Sequence, residues 1–330
     1  MKRLSDYIEA VYFDGKAPSD AQNRPFNGSK AARPPMLRPR GITRIILYPG
    51  SFNPPHKGHF HLLSHVFHNA GDDLHLAAAI LVPTNVKRLR DKYAADENAF
   101  IFTRAERTAL LRDSIPDWAW VFDQSEKAWL TFRSKLETKF KEEGLDVRFI
   151  LLGGPDWFSA EEMVPPRVWG CVDALTSDVS RSVDFRTPTF LKKLPFCGDW
   201  EKPQLDIDRL ERQIQAKMRG KPRTEIQDAV SLAVRKIQAV SVCRRQERPG
   251  GLIRFVPIDL AKQPTEAPSS TAIRDIINTS PDKDLEKNLG RLVLRPNMLA
   301  TIVREKIKMG PDGRMGVEDE EPEPVPEVVW

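Results

Sequence analysis

The chain contains the segment Gly50-Ser51-Phe52-Asn53-Pro54-Pro55-His56-Lys57-Gly58-His59 directly after an apolar run over residues 45–48. The run predicts a buried strand, and the spacing of Phe60, Leu63 and Phe67 beyond the segment predicts an amphipathic helix. The segment is therefore a tight connection between a strand and the start of a helix. Glycines let a backbone approach a ligand closely, and amides at a helix N-terminus attract anions. We expect this connection to bind phosphate.

The side chains of the segment favour phosphate chemistry over two other kinds of chemistry. His56 and His59, with the lysine between them, are donors that could neutralise charge developing on a phosphorus atom. Ser51 lacks the G-x-S-x-G turn of a serine nucleophile. His61 and His65 share a helix face at i and i+4, but no carboxylate or cysteine completes a metal-binding set. We therefore expect phosphate binding here.

Composition limits the class of protein. The chain has 330 residues, of which 40% are hydrophobic and 29% charged, which suits one large α/β domain with decorations. The formal net charge is +5, although the last fourteen residues carry six acidic groups and no basic one. Such a basic body suits polyanionic ligands, including nucleotides. The three cysteines show no disulfide or zinc spacing, and no apolar run approaches eighteen residues. We expect a soluble protein of the cytosol or nucleus, with no membrane partner.

Short apolar runs alternate with helical patterns beyond residue 42. The further strands are predicted at residues 76–82, 118–122, 147–152 and 252–257. This alternation predicts an α/β fold with a doubly wound, mostly parallel sheet. Two amphipathic helical patterns between residues 186 and 250 predict a helical insertion.

The two ends of the chain differ in composition from this body. Residues 1–40 are rich in proline and basic residues, and we expect a disordered leader that contains one short helix over residues 4–12. Residues 311–330 are acidic and proline-rich, and we expect a disordered tail. The domain between these ends should span residues 41–310, including the insertion.

Three further segments place polar residues at predicted strand ends or helix starts. A basic loop with Lys87 and Arg88 follows the second strand, and Gly154 and Asp156 follow the fourth. Ser269-Ser270-Thr271 precedes a helix that carries Arg274 in its first turn, which suits phosphate. On the residues alone, a solvated charge run and an ordinary helix cap remain open alternatives for the first and last of these segments.

Residues 50–59 and residues 268–274 resemble two motifs of one known family. Residues 50–59 match the pattern G-[ST]-F-[ND]-P-x-H-x-G-H of the nicotinamide and nicotinate mononucleotide adenylyltransferases, within the H-x-G-H nucleotidyltransferase superfamily. Residues 268–274 match its I-S-S-T-x-[IL]-R motif, with Pro268 in place of isoleucine. The resemblance covers residues 42–180 and 252–308. It implies a Rossmann-like nucleotidyltransferase fold with the helical segment inserted.

The resemblance also implies roles for individual residues. It assigns catalysis to His56, His59 and Arg274. It assigns ATP and phosphate binding to Gly50, Ser51, Phe52, Lys57, Gly58, Gly154, Asp156, Ser269, Ser270 and Thr271. It assigns acceptor binding to Lys87, Arg88 and Trp169, the last by stacking on a nicotinamide ring. A second family tryptophan, expected just before Glu126, is replaced by Ser125.

The reaction that the resemblance implies is transfer of AMP from ATP to nicotinamide mononucleotide in NAD biosynthesis. The acceptor phosphate would attack the α-phosphorus in line, pyrophosphate would leave, and Mg²⁺ would bind mainly through the ATP phosphates. Two alternatives remain: a cytidylyltransferase acting on a phosphorylated alcohol, and a non-catalytic nucleotide-binding regulatory protein. A nucleic-acid partner is not expected. The choice between nicotinamide and nicotinate acceptors, the role of the insertion and the oligomeric state remain open.

Overall fold

The computed structural model describes residues 2–16, 24–26, 33–95, 99–248, 250–259, 268–310 and 314. The strands are β1 (Lys2–Arg3), β2 (Met36–Leu37), β3 (Thr43–Gly50), β4 (Leu76–Pro83), β5 (Ala119–Val121), β6 (Val147–Leu152), β7 (Asp173–Thr176), β8 (Ser241–Arg244) and β9 (Leu252–Phe255). The helices are α1 (Leu4–Tyr12), α2 (Lys57–Asn69), α3 (Val86–Lys92), α4 (Arg104–Arg112), α5 (Glu126–Glu142), α6 (Ile207–Lys217), α7 (Arg223–Ala239), α8 (Ser270–Thr279), α9 (Leu285–Leu289) and α10 (Pro296–Lys308).

One sheet organises the described part of the chain. Its order is β5-β4-β3-β6-β7-β9-β8, and its neighbours run parallel except β8, which is antiparallel to β9. From β3 the chain winds outward to β5 on one side, and then crosses back to continue from β6 on the other. The point where the winding reverses therefore lies between β3 and β6. This topology confirms the predicted doubly wound, mostly parallel sheet of a Rossmann-like fold.

Both faces of the sheet are covered, as the alternation of side chains in β3 shows. Ile45 and Leu47 point to the face that packs with Trp129 of α5. Ile46 points to the opposite face, where it joins Leu63 of α2. All of these side chains are buried. Because successive residues of a strand face opposite sides, a strand with an apolar run such as residues 45–48 of β3 requires cover on both sides.

The first helix corrects the expectation of a disordered leader. Helix α1 has the bounds that its sequence pattern predicts, and its apolar face is buried through Leu4, Tyr7 and Ile8. It packs against α5, where the Tyr7 hydroxyl donates to the Glu143 carboxylate. The spacing i, i+3, i+4 gives this helix one apolar stripe, and burial of the stripe on the core orders it. Residues 311–330, predicted as a disordered tail, lie outside the described residues except for residue 314.

The predicted helical insertion is only partly helical. Helices α6 and α7 pack against each other through Leu210, Ile214, Ala233 and Ile237. The chain then enters β8, which extends the main sheet beyond β9. Strand β7 is likewise not predicted by the sequence pattern. Both strands have four residues, of which only the central two are apolar, so neither forms the apolar run by which the other strands are predicted.

None of the helices in the described part of the chain combines the length and the apolarity that crossing a bilayer requires.

Candidate active site

The carboxyl ends of β3 and β6 lie side by side at the point where the winding of the sheet reverses. The segment of residues 50–59 leaves β3 there, and residues 153–156 leave β6. Thr84 follows the neighbouring strand β4, and its amide donates to the Gly50 carbonyl (3.0 Å). Open parallel sheets bind ligands in the crevice at this edge. The fold therefore brings the two predicted phosphate-binding segments of the first half of the chain to one place.

Buried contacts hold the loop after β3 in a strained conformation. Asn53 is buried; its Nδ2 donates to the Phe100 carbonyl (3.0 Å), and its Oδ1 accepts from the Phe102 amide (2.8 Å). Phe52 has a φ of 46°, in the left-handed region, and its buried ring contacts those of Tyr48 and His59. A bulky residue keeps such a backbone conformation only where its surroundings enforce it. The loop is thus built in advance of any ligand.

Arg107 of α4 anchors the same loop and was not predicted. Its side chain is fully buried, and its Nη1 donates to the Ser51 carbonyl (2.8 Å) while Nη2 donates to the Thr84 carbonyl (2.7 Å). The guanidinium therefore ties the end of β3 to the end of β4. A sequence signal did exist: Arg107 lies at helical spacing with Leu110 and Leu111, on the buried side of α4.

His56 and His59 stack at the N-terminus of α2. Their ring centroids are 3.6 Å apart at 26°, and the His56 amide donates to Nδ1 of His59 (3.2 Å). Because Nδ1 of His59 accepts this bond, the proton of the neutral ring is on Nε2. His59 thus has a ring N–H to offer to a ligand.

Both rings are neutral at pH 7. Burial lowers the pKa of His56 to about 4, with a smaller contribution from the positive charge of Arg181. Burial also holds the pKa of His59 well below its usual range, and His56 adds to the effect. Nδ1 of His56 is buried and has no hydrogen-bond partner within the described residues. An anion bound beside these rings would supply a partner and raise both pKa values.

Lys57 does not face the loop as the sequence analysis expected. Its Nζ donates to the Gly290 carbonyl (2.9 Å), and its amide donates to the Leu292 carbonyl (2.9 Å). The flexible lysine side chain thus reaches the segment between α9 and α10. Gly58 beside it is sterically crowded, because an added Cβ would lie 3.0 Å from the Pro268 carbonyl oxygen. The close approach of the segment before α8 therefore favours glycine at position 58.

The last predicted segment joins the first in space. Arg274 is buried; its Nη1 donates to the Asn53 carbonyl (3.2 Å), and its guanidinium lies 4.3 Å from the centre of the Tyr93 ring. Ser270 Oγ donates to the Pro54 carbonyl (3.4 Å). Residues more than 200 positions apart in sequence thus meet at one loop. The N-termini of α2 and α8 are both part of this site.

The hydroxyls before and within α8 have internal partners. Ser269 Oγ accepts from the Ala272 amide (3.1 Å) and caps the helix, while Thr271 Oγ1 accepts from Arg274 (3.3 Å). These are the ordinary capping roles that the sequence left open as an alternative. Both hydroxyls accept in these bonds, so each keeps its O–H to donate to an anion beside the first-turn amides of α8.

Asp156 is the predicted ribose ligand and lies at the surface. Its side chain is 75% exposed and pairs with Arg181, which follows β7 and which the sequence analysis missed. Gly154 is not sterically required, since an added Cβ would make only an ordinary contact with Leu62 at 3.7 Å. The charge of Arg181 also reaches His56, as the lowered pKa of that histidine indicates. Arg181 therefore belongs to the site.

The predicted basic loop after β4 is the short helix α3. The Asn85 side chain caps it by accepting from the Lys87 amide (2.7 Å), which stabilises the start of the helix. Lys87 is exposed, whereas Arg88 pairs with Glu126 of α5 (3.1 Å). The carboxylate compensates the charge of Arg88, which reduces what Arg88 could offer to a phosphate.

Trp169 does not present the ring face that the sequence analysis expected. Only 3% of it is exposed, and it packs in the core cluster beside Trp157 (ring centroids 6.4 Å apart). Ser125, which stands where the resembled family has a second tryptophan, also has a structural role. Its Oγ accepts from the Ala128 amide (3.1 Å) and caps α5. Trp157 itself is only half-buried and follows Asp156 directly. Of these aromatic positions, Trp157 remains the one with an accessible part.

Within the described residues, no group of three or more histidine, cysteine or carboxylate side chains could hold a metal ion. Mg²⁺ bound mainly through ATP phosphates stays a prediction.

The parallel sheet, with a preformed loop and two helix N-termini at its topological switch point, defines a Rossmann-like nucleotidyltransferase fold. Residues 47–160 match the family model described as cytidylyltransferase-like, and this match supports membership of the nucleotidyltransferase superfamily and a nucleotidyltransferase activity in general. The match includes the loop, both histidines and the Gly153–Asp156 segment. No curated protein matches the chain.

Proposed function

We propose that the protein transfers AMP from ATP to nicotinamide mononucleotide and releases pyrophosphate. The observation that carries this proposal is the meeting of the segment of residues 50–59 with the segment of residues 268–274. Arg274 bonds the Asn53 carbonyl, and the Pro268 carbonyl oxygen lies against Gly58. The S-S-T-x-I-R form of the second segment resembles adenylyltransferases rather than cytidylyltransferases, which supports ATP as the nucleotide.

Each part of the site has a role in this proposal. His59 Nε2–H donates to an oxygen of the α-phosphate, where negative charge grows in the transition state. His56 binds beside it, and its unpartnered Nδ1 gains a partner when the nucleotide arrives. The first-turn amides of α8 hold the departing pyrophosphate. Arg107, Asn53 and Arg274 keep these donors in place, and such positioning supplies much of the rate in phosphoryl transfer.

Mg²⁺ enters as part of the substrate MgATP. The attack on the α-phosphorus is in line: the acceptor phosphate oxygen forms the new P–O bond as the bond to pyrophosphate breaks. The protein then needs charge stabilisation but no nucleophile of its own. This agrees with the absence of a G-x-S-x-G turn around Ser51.

The acceptor ring needs a different contact from the one that the resemblance implied. Trp169 is buried, so we assign the ring to Trp157, which is half-buried and adjoins Asp156. The exposed Lys87 is the cation that we assign to the acceptor phosphate, because Arg181 is already paired with Asp156. Trp157→Ala should raise KM for nicotinamide mononucleotide up to about tenfold, as loss of one aromatic stack does, with kcat little changed.

The test is formation of the dinucleotide by purified protein from MgATP and nicotinamide mononucleotide, separated by chromatography, with pyrophosphate measured in parallel. We expect equimolar dinucleotide and pyrophosphate, and an initial rate about 10²- to 10³-fold lower from the His59→Ala variant. Parallel reactions contain CTP in place of ATP, or nicotinate mononucleotide and phosphorylated alcohols as acceptors. A product from one of these alone would replace the named substrate, and no product with any pair would contradict the enzyme assignment.

A further inference from the structure

A second cavity lies on the edge of the sheet opposite to the candidate active site. It has a volume of about 440 Å³, and its lining includes Arg38, Thr43, Phe67, His75, Trp118 and Lys217. Thr43 is the first residue of β3, whereas the candidate active site begins at the last residue of β3, Gly50. Seven steps of about 3.3 Å separate the two by about 23 Å, so the cavity is a different site.

Positive charge converges on this cavity. Burial lowers the pKa of His75 to about 4, and the positive charges of Arg38, Lys217 and Arg44 lower it further. The pKa of Arg38 is itself lowered by burial and by Arg209. Within the described residues, neither the Arg38 guanidinium nor the Lys217 ammonium makes a hydrogen bond or an ion pair. Clustered like charges without a counter-charge repel one another, and an anion in the cavity would relieve this repulsion.

Most of the negative groups near the cavity already have a positive partner. Asp73 is paired with Arg254 (2.6 Å), which leaves Asp72 as the acidic residue of the lining. The carboxyl end of α2 would repel an anion through its dipole. Lys236 Nζ compensates that end by donating to the His68 carbonyl (2.9 Å), and Arg254 does the same at the Ala70 carbonyl. The electrostatic balance in the cavity therefore favours an anion.

The cavity also has an aromatic wall and a strained turn. The rings of Phe67 and Trp118 lie parallel, with centroids 3.8 Å apart and an angle of 6°. His75 adopts the left-handed conformation (φ 50°, ψ 53°) directly before β4. Strained backbone at a side chain that lines a cavity is a common feature of ligand sites. The volume falls in the range of small-molecule sites.

We infer that this cavity binds a small phosphorylated ligand with a flat ring, of the nucleotide class. The phosphates contact Arg38 and Lys217, and His75 contributes a ring nitrogen. The ring of the ligand packs against the wall of Phe67 and Trp118. This inference does not depend on the reaction at the opposite edge.

The experiment uses the full chain with two probes, ATP and inorganic tripolyphosphate. Amide hydrogen exchange followed by mass spectrometry locates each bound probe, and calorimetry gives its affinity. We expect ATP to slow exchange over residues 72–77 in addition to any effect over residues 50–59. The binding of ATP that slows exchange over residues 72–77 should be weaker in the double variant Arg38→Ala/Lys217→Ala. We expect about tenfold for each charge-assisted contact that is lost.

The matched control is Arg212→Ala/Lys221→Ala, which removes two positive charges from α6 and from the turn between α6 and α7, outside the cavity lining. It should change the affinity less than twofold. The inference would be overturned if both double variants weakened ATP binding equally, or if ATP slowed amide exchange over residues 50–59 only. Either result would leave the proposed function intact. Protection of residues 72–77 alone would support the cavity and count against the proposed function.

The tripolyphosphate arm tests the contact with the ring. Trp118→Leu should weaken ATP up to about tenfold and leave tripolyphosphate unchanged. If tripolyphosphate binds the cavity as tightly as ATP does, the nucleotide class is wrong.

Discussion

The two ends of β3 differ in how many of their positive side chains already have partners inside the protein. At the carboxyl end, Arg107, Arg274 and Lys57 all donate to main-chain carbonyls of the protein itself. At the amino end, Arg44 and Arg254 do the same, but the Arg38 guanidinium and the Lys217 ammonium have no partner within the described residues. At the candidate active site, these three charges therefore build the loop, and neutral histidines, amides and the exposed Lys87 are left for the ligand. A basic residue near a site therefore need not contact the ligand. It is available to a ligand only where its N–H donors are not already bonded within the protein.

The largest expected effect is at the carboxyl end. His59→Ala should lower turnover by about 10²- to 10³-fold, because it removes one preorganised donor from the transition state. Steady-state rates of pyrophosphate release measure this, and circular dichroism checks the fold. The control is His61→Ala, an exposed histidine two residues further along α2, which should keep the wild-type rate. Near wild-type turnover in His59→Ala would remove this histidine from the chemistry.

Stability should separate the two kinds of arginine. Arg107→Met leaves the Ser51 and Thr84 carbonyls without their buried donor, and should lower the free energy of unfolding by about 3 kcal/mol. Arg38→Ala removes no side-chain hydrogen bond to any described residue and should change that free energy by less than about 0.5 kcal/mol. Urea denaturation at pH 7 measures both. A large loss in Arg38→Ala would show that Arg38 supports the fold, and the comparison between the two ends would then fail.

A pH titration should show that both ends hold histidines against protonation. The pKa values of His56 and His75 are about 4, whereas an unfolded histidine has a pKa near 6.5. The unfolded chain therefore takes up protons first, and the free energy of unfolding falls as the pH falls from 6.5 toward 4. For the buried His56 the loss should be about 2 kcal/mol at pH 5.

Urea denaturation between pH 7 and pH 4.5 measures this dependence. His56→Asn should make the pH dependence shallower than in the wild type. Tripolyphosphate should raise the free energy of unfolding less in His75 variants than in the wild type, because the inferred anion binds beside that histidine. A pH dependence that is unchanged in His56→Asn would contradict the neutral state assigned to this ring.

The smallest effect tests the meeting of the two motifs. Gly58→Ala places a Cβ 3.0 Å from both the Pro268 carbonyl oxygen and the His56 ring, and should shift the segment before α8, the ring or both, which weakens ATP binding by about tenfold. Calorimetry with MgATP measures the affinity. The control is Gly198→Ala, where the nearest atom to the new Cβ is 3.6 Å away, and it should bind ATP as the wild type does. Unchanged binding in Gly58→Ala would mean that the close approach to α8 is not needed for ATP.

Local patterns of the sequence predicted much of the fold. The bounds of α1 and of β6 were predicted to the residue, and the five strands with apolar runs all lie where they were expected. The reason is that helix and strand periodicity depends on residues a few positions apart. The segments 50–59 and 268–274 were likewise recognisable, because residue types at short spacing define them. Strands β7 and β8 lack such runs and became visible only through their pairing in the sheet.

Tertiary structure alone decided what each side chain of the site does. Arg107 bonds a carbonyl 56 residues away, and Arg274 one that is 221 residues away, so no local pattern could assign either contact. The same holds for Trp169, whose burial in the core removed the ring face that the motif order implied. The sequence by itself determined the class of fold and the phosphate-suited loop. Packing between distant segments determined which donors face a ligand, because a side chain already satisfied inside the protein has little left to offer outside it.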